Sequence, residues 1–182
     1  MIEPQEVVLG QTGFSIARHL KFPGSEFVTL KTQRAAAVLF TEGDFVWLLE
    51  QEGREGVSGS VFKTVGGFCR VTDPKVFHEV SAETLEETAL RHSRAKMGFD
   101  FDIGHLEPFG GTLGYVPIVN IPITFFNCRS WRQVGAPTAS GCTPIRLHIE
   151  AALDLIDQGK VYDDATVLHL QRHAIEWLRR TR

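Results

Sequence analysis

The amino-acid sequence predicts an α/β protein, with strands filling the first part of the chain and helices set among strands in the rest. Two patterns lead to this reading. Between residues 14 and 49, apolar side chains recur at every second position or in short unbroken runs separated by turn dipeptides, which is how strands are written. Beyond residue 83 they recur three and four positions apart behind capping residues, which is how helices are written. At 182 residues and 43% hydrophobic content, the chain is long enough to bury one core and too short for two full-size domains.

Residues 14–18 and 26–32 alternate around Pro23-Gly24, a meander of short strands. Residues 35–40 and 45–49 flank Glu42-Gly43-Asp44, and both runs are apolar on either face, which predicts a hairpin of two well-buried strands. Residues 53–59 form a loop, and residues 61–65 a short strand leading into Gly66-Gly67. Thr84 and Glu87 make a capping box, each side chain satisfying a free backbone N–H at a helix start, and Gly98 supplies a left-handed stop. The helix predicted between them runs from about Leu85 to Met97 and buries Leu85, Ala89, Ser93 and Met97. Residues 101–109 and 115–128 read as strands, with Pro117 and Pro122 pushing the second toward an edge or a bulge. Thr143-Pro144 is expected to open a helix carrying Ile145, Ile149, Leu153 and Ile156 at helical spacing until Gly159. A last helix is expected from Asp163-Asp164, with Val167, Leu170, Ala174 and Trp177 inward and Arg179 and Arg180 at its negative end.

Charged residues make up 23% of the chain and the formal net charge is −3. No basic run offers the counterion release that drives binding to nucleic acid or anionic membrane, so neither is an expected partner. Any nucleotide contact is expected to be with a small molecule. Cys69, Cys128 and Cys142 lack metal-ligand spacing and are read as reduced structural thiols. The acidic opening, residues 1–6, has no signal-peptide pattern, and no apolar run is long enough to span a bilayer, so a cytoplasmic location is expected.

The chemistry is concentrated in Gly66-Gly67, Glu83 and the run Arg91-His92-Ser93-Arg94-Ala95-Lys96-Met97-Gly98-Phe99. In frame and spacing this stretch resembles the signature of the Nudix superfamily: a Gly, then a Glu, then R-E-U-x-E-E-x-G-U, with U aliphatic or aromatic. Glu83, Arg91, Gly98 and Phe99 fall on the pattern, while His92, Ala95 and Lys96 stand where the family places its three glutamates. The Nudix box is therefore degenerate. Three further features look like the ADP-ribose pyrophosphatase branch: the meander with Pro23-Gly24, the apolar strands ending in Leu49-Glu50-Gln51 with Arg54 nearby, and residues 150–166.

The resemblance implies a Nudix fold, a mixed central β-sheet sandwiched between helices. An N-terminal β-subdomain would span residues 1–33, often reaching across a homodimer, and the Nudix domain residues 34–182. It implies cleavage of a diphosphate linking a nucleoside to another group. Magnesium would be held by the signature glutamates and a later acid, because hard cations need oxygen ligands to neutralise the diphosphate and activate a water.

The departures set the expectations for the site. Fifteen residues, 68–82, separate Gly67 from Glu83 where the family has five. Positions 92, 95 and 96 share one helix face, so their replacement turns three formal negative charges into one positive, counting His92 neutral. An ammonium repels a divalent cation, and residues 129–147 contain no Asp or Glu. No metal ligand and no cofactor is therefore expected, magnesium entering only through relocated acids such as Glu83, Glu86 or Glu87. Candidate catalytic residues are His92, whose ordinary pKa suits neutral pH, Lys96, a point charge for phosphate, and Glu83. Candidate substrate-binding residues are Arg54, Gly66, Gly67, Arg91 and Trp131, the last in a polar loop between Arg129 and Arg132.

Each candidate has a structural alternative: a salt bridge for Glu83 and Arg91, a packed helix position for His92, and a solvated basic face around Lys96. Residues 110–115 are glycine-rich without a phosphate-binding fingerprint. Three functions remain open. One is a divergent binding protein for ADP-ribose or a nucleotide sugar; another is a magnesium-dependent Nudix hydrolase with relocated ligands; the third is an enzyme with altered, metal-free chemistry.

Overall fold

The structure is a computed structural model and describes residues 5–8, 14–22, 25–52, 59–70, 82–109, 119–120, 123–161 and 163–181. The opening meander consists of β1 (Gln5–Val8), β2 (Phe14–Phe22) and β3 (Ser25–Thr32), paired antiparallel in sequence order. The buried hairpin follows as β4 (Ala35–Glu42) and β5 (Phe45–Glu52), turning at Gly43-Asp44 with Glu42 opposite Phe45. Gly43 takes a φ of 59°, the left-handed conformation that so short a connection requires. Next come β6 (Ser60–Lys63), β7 (Val65–Phe68) and α1 (Leu85–Met97).

Downstream, β8 (Phe99–Asp100) precedes a 3-10 turn (Ile103–His105) and β9 (Leu106–Pro108). Then follow β10 (Val119–Asn120), β11 (Ile123–Cys128), β12 (Arg132–Gln133), β13 (Cys142–His148), α2 (Ile149–Asp157) and α3 (Asp164–Thr181). A four-stranded sheet runs β1-β2-β3-β10, with β10 parallel to β3. The central sheet runs β13-β5-β4-β11-β9, with β6 also on β5 and β7 also on β4. It is mixed, because β11 lies parallel to β4 from Ile123 opposite Ala35 to Cys128 opposite Phe40.

Strand β4 explains the layering. Its side chains alternate between faces. Ala36, Val38 and Phe40 join a core with Ala89 and Met97 of α1, whereas Leu39 joins Ile149, Ala152, Leu170 and Ala174 of α2 and α3. The sheet thus lies between α1 on one side and α2 and α3 on the other. An unbroken apolar run is what such a two-sided position demands.

Two expectations are corrected. Residues 143–148 belong to a strand, with Pro144 opposite Leu49 and Ile145 opposite Leu48, and the helix starts only at Ile149 behind His148. The outer edge of β5 needs hydrogen-bond partners, and β13, at the end of the sheet order, tolerates a proline without an N–H. Within residues 101–109 only Leu106–Pro108 is a strand; the Asp102 carboxylate accepts the Gly104 N–H at 2.9 Å and holds a turn instead. Residues 53–58, 71–81 and 110–118 lie outside the described residues, as do Pro23-Gly24 and Pro122. Among the described residues no helix is long and apolar enough to cross a membrane.

Candidate functional site

Helix α1 is placed by its two ends. At the start, the Thr84 N–H donates to Glu87 Oε2 at 2.7 Å and the Glu87 N–H donates to Thr84 Oγ1 at 3.1 Å, completing the box that the sequence predicts. At the finish Gly98 adopts a φ of 70°, and a Cβ there would collide with the Gly135 carbonyl. Thr88, Ala89, Ser93 and Met97 are buried, while Leu85 is only half-buried. That rotation leaves Arg91, His92, Ala95 and Lys96 on the flank facing β7 and the segment around Thr138.

There the candidates pair off. The Arg91 guanidinium grips Glu83, with Nε donating to both carboxylate oxygens at 3.2 and 3.0 Å, and its Nη2 donates to the Phe68 carbonyl at 2.9 Å. The Arg70 N–H donates to Glu83 Oε1 at 2.7 Å. Burial pushes the Glu83 carboxyl up, but these hydrogen bonds and the Arg91 charge outweigh it and hold its pKa below the ordinary value. His92 lies over Gly67, its Nε2 at 3.3 Å from the Phe68 carbonyl. Burial first, then the charges of Lys96 and Arg91, push the His92 pKa down to about 4, so the imidazole is neutral at pH 7. Lys96 Nζ donates to the Gly66 carbonyl at 2.6 Å. The glycines are required by close approach: a Cβ on Gly66 would run into the Ala36 carbonyl, and one on Gly67 into the His92 ring.

Ala95 opens a different way. Its carbonyl accepts the N–H groups of Thr138 and Ala139, both at 2.8 Å, and it lines a groove of about 650 Å³ together with Arg70, Glu83, Glu87, Arg91 and Arg94. The spacing 92, 95, 96 therefore divides, with Ala95 on the groove and His92 and Lys96 turned to β7. This flank does not fit a hard divalent cation, since it presents a methyl group, a neutral imidazole and an ammonium where oxygen ligands are needed. Among the described residues no group of three or more His, Cys, Asp or Glu is placed to hold a metal.

One cluster was not anticipated. Asp100, just past the Gly98 stop, is nearly buried and accepts Arg94 Nε on Oδ1 at 2.7 Å and Arg132 Nη2 on Oδ2 at 3.0 Å. The Arg132 and Arg94 hydrogen bonds hold its pKa below the ordinary carboxylate value. An acid directly after a helix whose last turn is basic was the available signal. Trp131 is half-buried, stacked on Phe99 with centroids 4.0 Å apart and edge-on to Trp47 and Phe40. It also borders a second cleft, of about 380 Å³. Arg54 lies outside the described residues.

A mixed sheet between α1 and the pair α2 and α3, with α1 entered after a Gly-Gly strand and closed by Gly98-Phe99, defines a Nudix fold. Among solved structures the chain is similar to the crystal structure of an ADP compounds hydrolase, with a TM-score of 0.65 at 14% identity, covering 100% of this chain and 97% of that one. Identity that low carries the fold alone. No protein-family model matches the chain, and no curated protein matches it in sequence.

Proposed function

We propose that this protein binds a nucleoside diphosphate-linked small molecule, of the ADP-ribose or nucleotide-sugar class, and that it does so without a cation held by carboxylates on α1. The observation that carries this reading is the Lys96 ammonium bound to the Gly66 carbonyl. A positive charge is built into the helix flank where the family resemblance expects acids, so an anionic ligand has no need of an added cation there. The adjoining groove supports the reading, because the Arg91 and Arg94 guanidiniums, held in place by Glu83 and Asp100, both line it. In this arrangement Arg91 and Arg94 face the diphosphate. Glu83 fixes Arg91, and Lys96 and His92 fix the Gly66-Gly67 strand. The similar solved structure is named a hydrolase of ADP compounds, which suggests the ligand class. Hydrolysis by this chain is expected to be slow, since the flank supplies no oxygen ligands for a cation that would stabilise the developing charge.

Calorimetry with ADP-ribose and UDP-glucose, in EDTA and in magnesium, tests the proposal. Binding of at least one ligand is expected in EDTA, weakened about tenfold or more by Lys96→Glu, which reverses the charge of the flank and breaks the hydrogen bond that holds the Gly66 carbonyl. Absence of binding in EDTA together with magnesium-dependent turnover would refute it in favour of a hydrolase with relocated ligands.

A further inference from the structure

We infer that the cleft beside Trp131 is a binding site for a purine base. The cleft is separate from the α1 groove. Arg94 lines the groove while Asp100 and Arg132 line the cleft, so the bridge Arg94–Asp100–Arg132 stands between them. Its volume of about 380 Å³ lies within the range of about 300–1,000 Å³ typical of small-molecule sites.

Three kinds of group converge there. Trp131 and Phe101 supply aromatic surface, and because Phe99 already stacks on Trp131 the indole is held in one orientation. A ring immobilised before binding loses no side-chain entropy when a second ring stacks on it. Arg132 supplies donors: its side chain is 77% exposed, and the hydrogen bond to Asp100 occupies only one of its five N–H groups. Asp102 supplies an acceptor, since Oδ1 takes the Gly104 N–H and Oδ2 remains for a ligand.

A planar ring flanked by a carboxylate and a guanidinium must offer N–H donors on one edge and acceptors on another. Purines do, through an amine or ring N–H and through N7, to which arginine is a common partner. The local charge agrees, because the cleft is lined by Asp100 and Asp102 against Arg132, which leaves no positive excess for an anion and suits a neutral ring better.

The test uses adenosine and guanosine, which carry no phosphate and so leave the α1 groove out of the measurement. Titration calorimetry of the full chain should give saturable binding of at least one of them. Arg132→Ala and Asp102→Asn should each weaken it about tenfold or more. Both side chains are exposed, Arg94 still holds Asp100 when Arg132 is gone, and asparagine keeps the cap on Gly104, so both variants should fold. Trp131→Phe should retain binding but lose the quenching of tryptophan emission that stacking produces. Failure of both nucleosides to bind, or binding that both variants leave unchanged, overturns the assignment. Nucleosides that bind here beside nucleotide sugars that bind nowhere would sink the diphosphate reading and leave this one standing; the reverse result would do the opposite.

Discussion

Gly67 and His92 are a matched pair, and their fit is a residue-scale property that spacing does not disclose. The sequence shows a glycine before the helix and a histidine on it, but not that the imidazole occupies the space a Cβ would fill. Gly67→Ala is expected to destabilise the protein by about 1–3 kcal/mol, the usual cost of forcing an extra carbon into a packed contact. In a His92→Ala background the same change should cost less than half as much. Urea unfolding of the four proteins in the cycle measures this, and additive costs would show that the two residues do not compete for space. The Glu83 and Arg91 pairing was legible as a salt bridge, whereas the pairing of Asp100 with Arg132 was not, because Arg132 arrives on β12, a short strand distant in sequence that pairs with β8.

Helix α1 was legible residue by residue, since a capping box and a terminal glycine are local signals that tertiary contacts have little power to override. The start of α2 was not. Thr143-Pro144 imitates a helix opening, and the competing demand came from the unpaired edge of β5, a long-range fact. Helix α3 holds another surprise in His169 and His173, one turn apart and both buried. His169 Nε2 lies 3.1 Å from Asn127 Oδ1, and its ring stacks on Phe109. Burial, followed by the His173 and Arg172 charges, lowers the His169 pKa to about 3; burial and the Arg180 and Arg129 charges lower that of His173 to about 4. The folded-state values lie below the ordinary 6.5, so in mild acid the unfolded chain binds more protons than the folded one. Stability is therefore full above about pH 6.5 and declines as the pH falls toward the folded-state values. The thermal midpoint should drop between pH 7 and pH 5, and His173→Leu should flatten that slope whatever it does to the midpoint at pH 7. An unchanged slope would remove His173 from the account.

At the scale of the whole molecule, the order of layers was readable because the resemblance supplied a plan that the apolar runs fit. Within the four-stranded sheet, the opening meander is joined to the later chain by the short parallel pairing of β3 with β10. We infer that residues 1–33 act as a β-subdomain packing partly on a second copy of the chain, as β1 forms the outer edge of that sheet and symmetric dimers are the commonest assembly. Light scattering at micromolar concentration is expected to report the dimer mass, and a purely monomeric sample would count against it. The parallel pairing of β4 with β11 bears on how the chain reaches this state. Strand β4 leads, and the partner along its whole apolar run emerges only after β5 to β10 and α1 have been synthesised. A growing chain therefore carries a sticky edge while residues 43–122 are made, and completing the sheet waits on the closure of a long loop. Chaperone dependence and concentration-dependent losses on refolding are what such a delay entails, and they would trace to the strand that later becomes the best-protected part of the molecule.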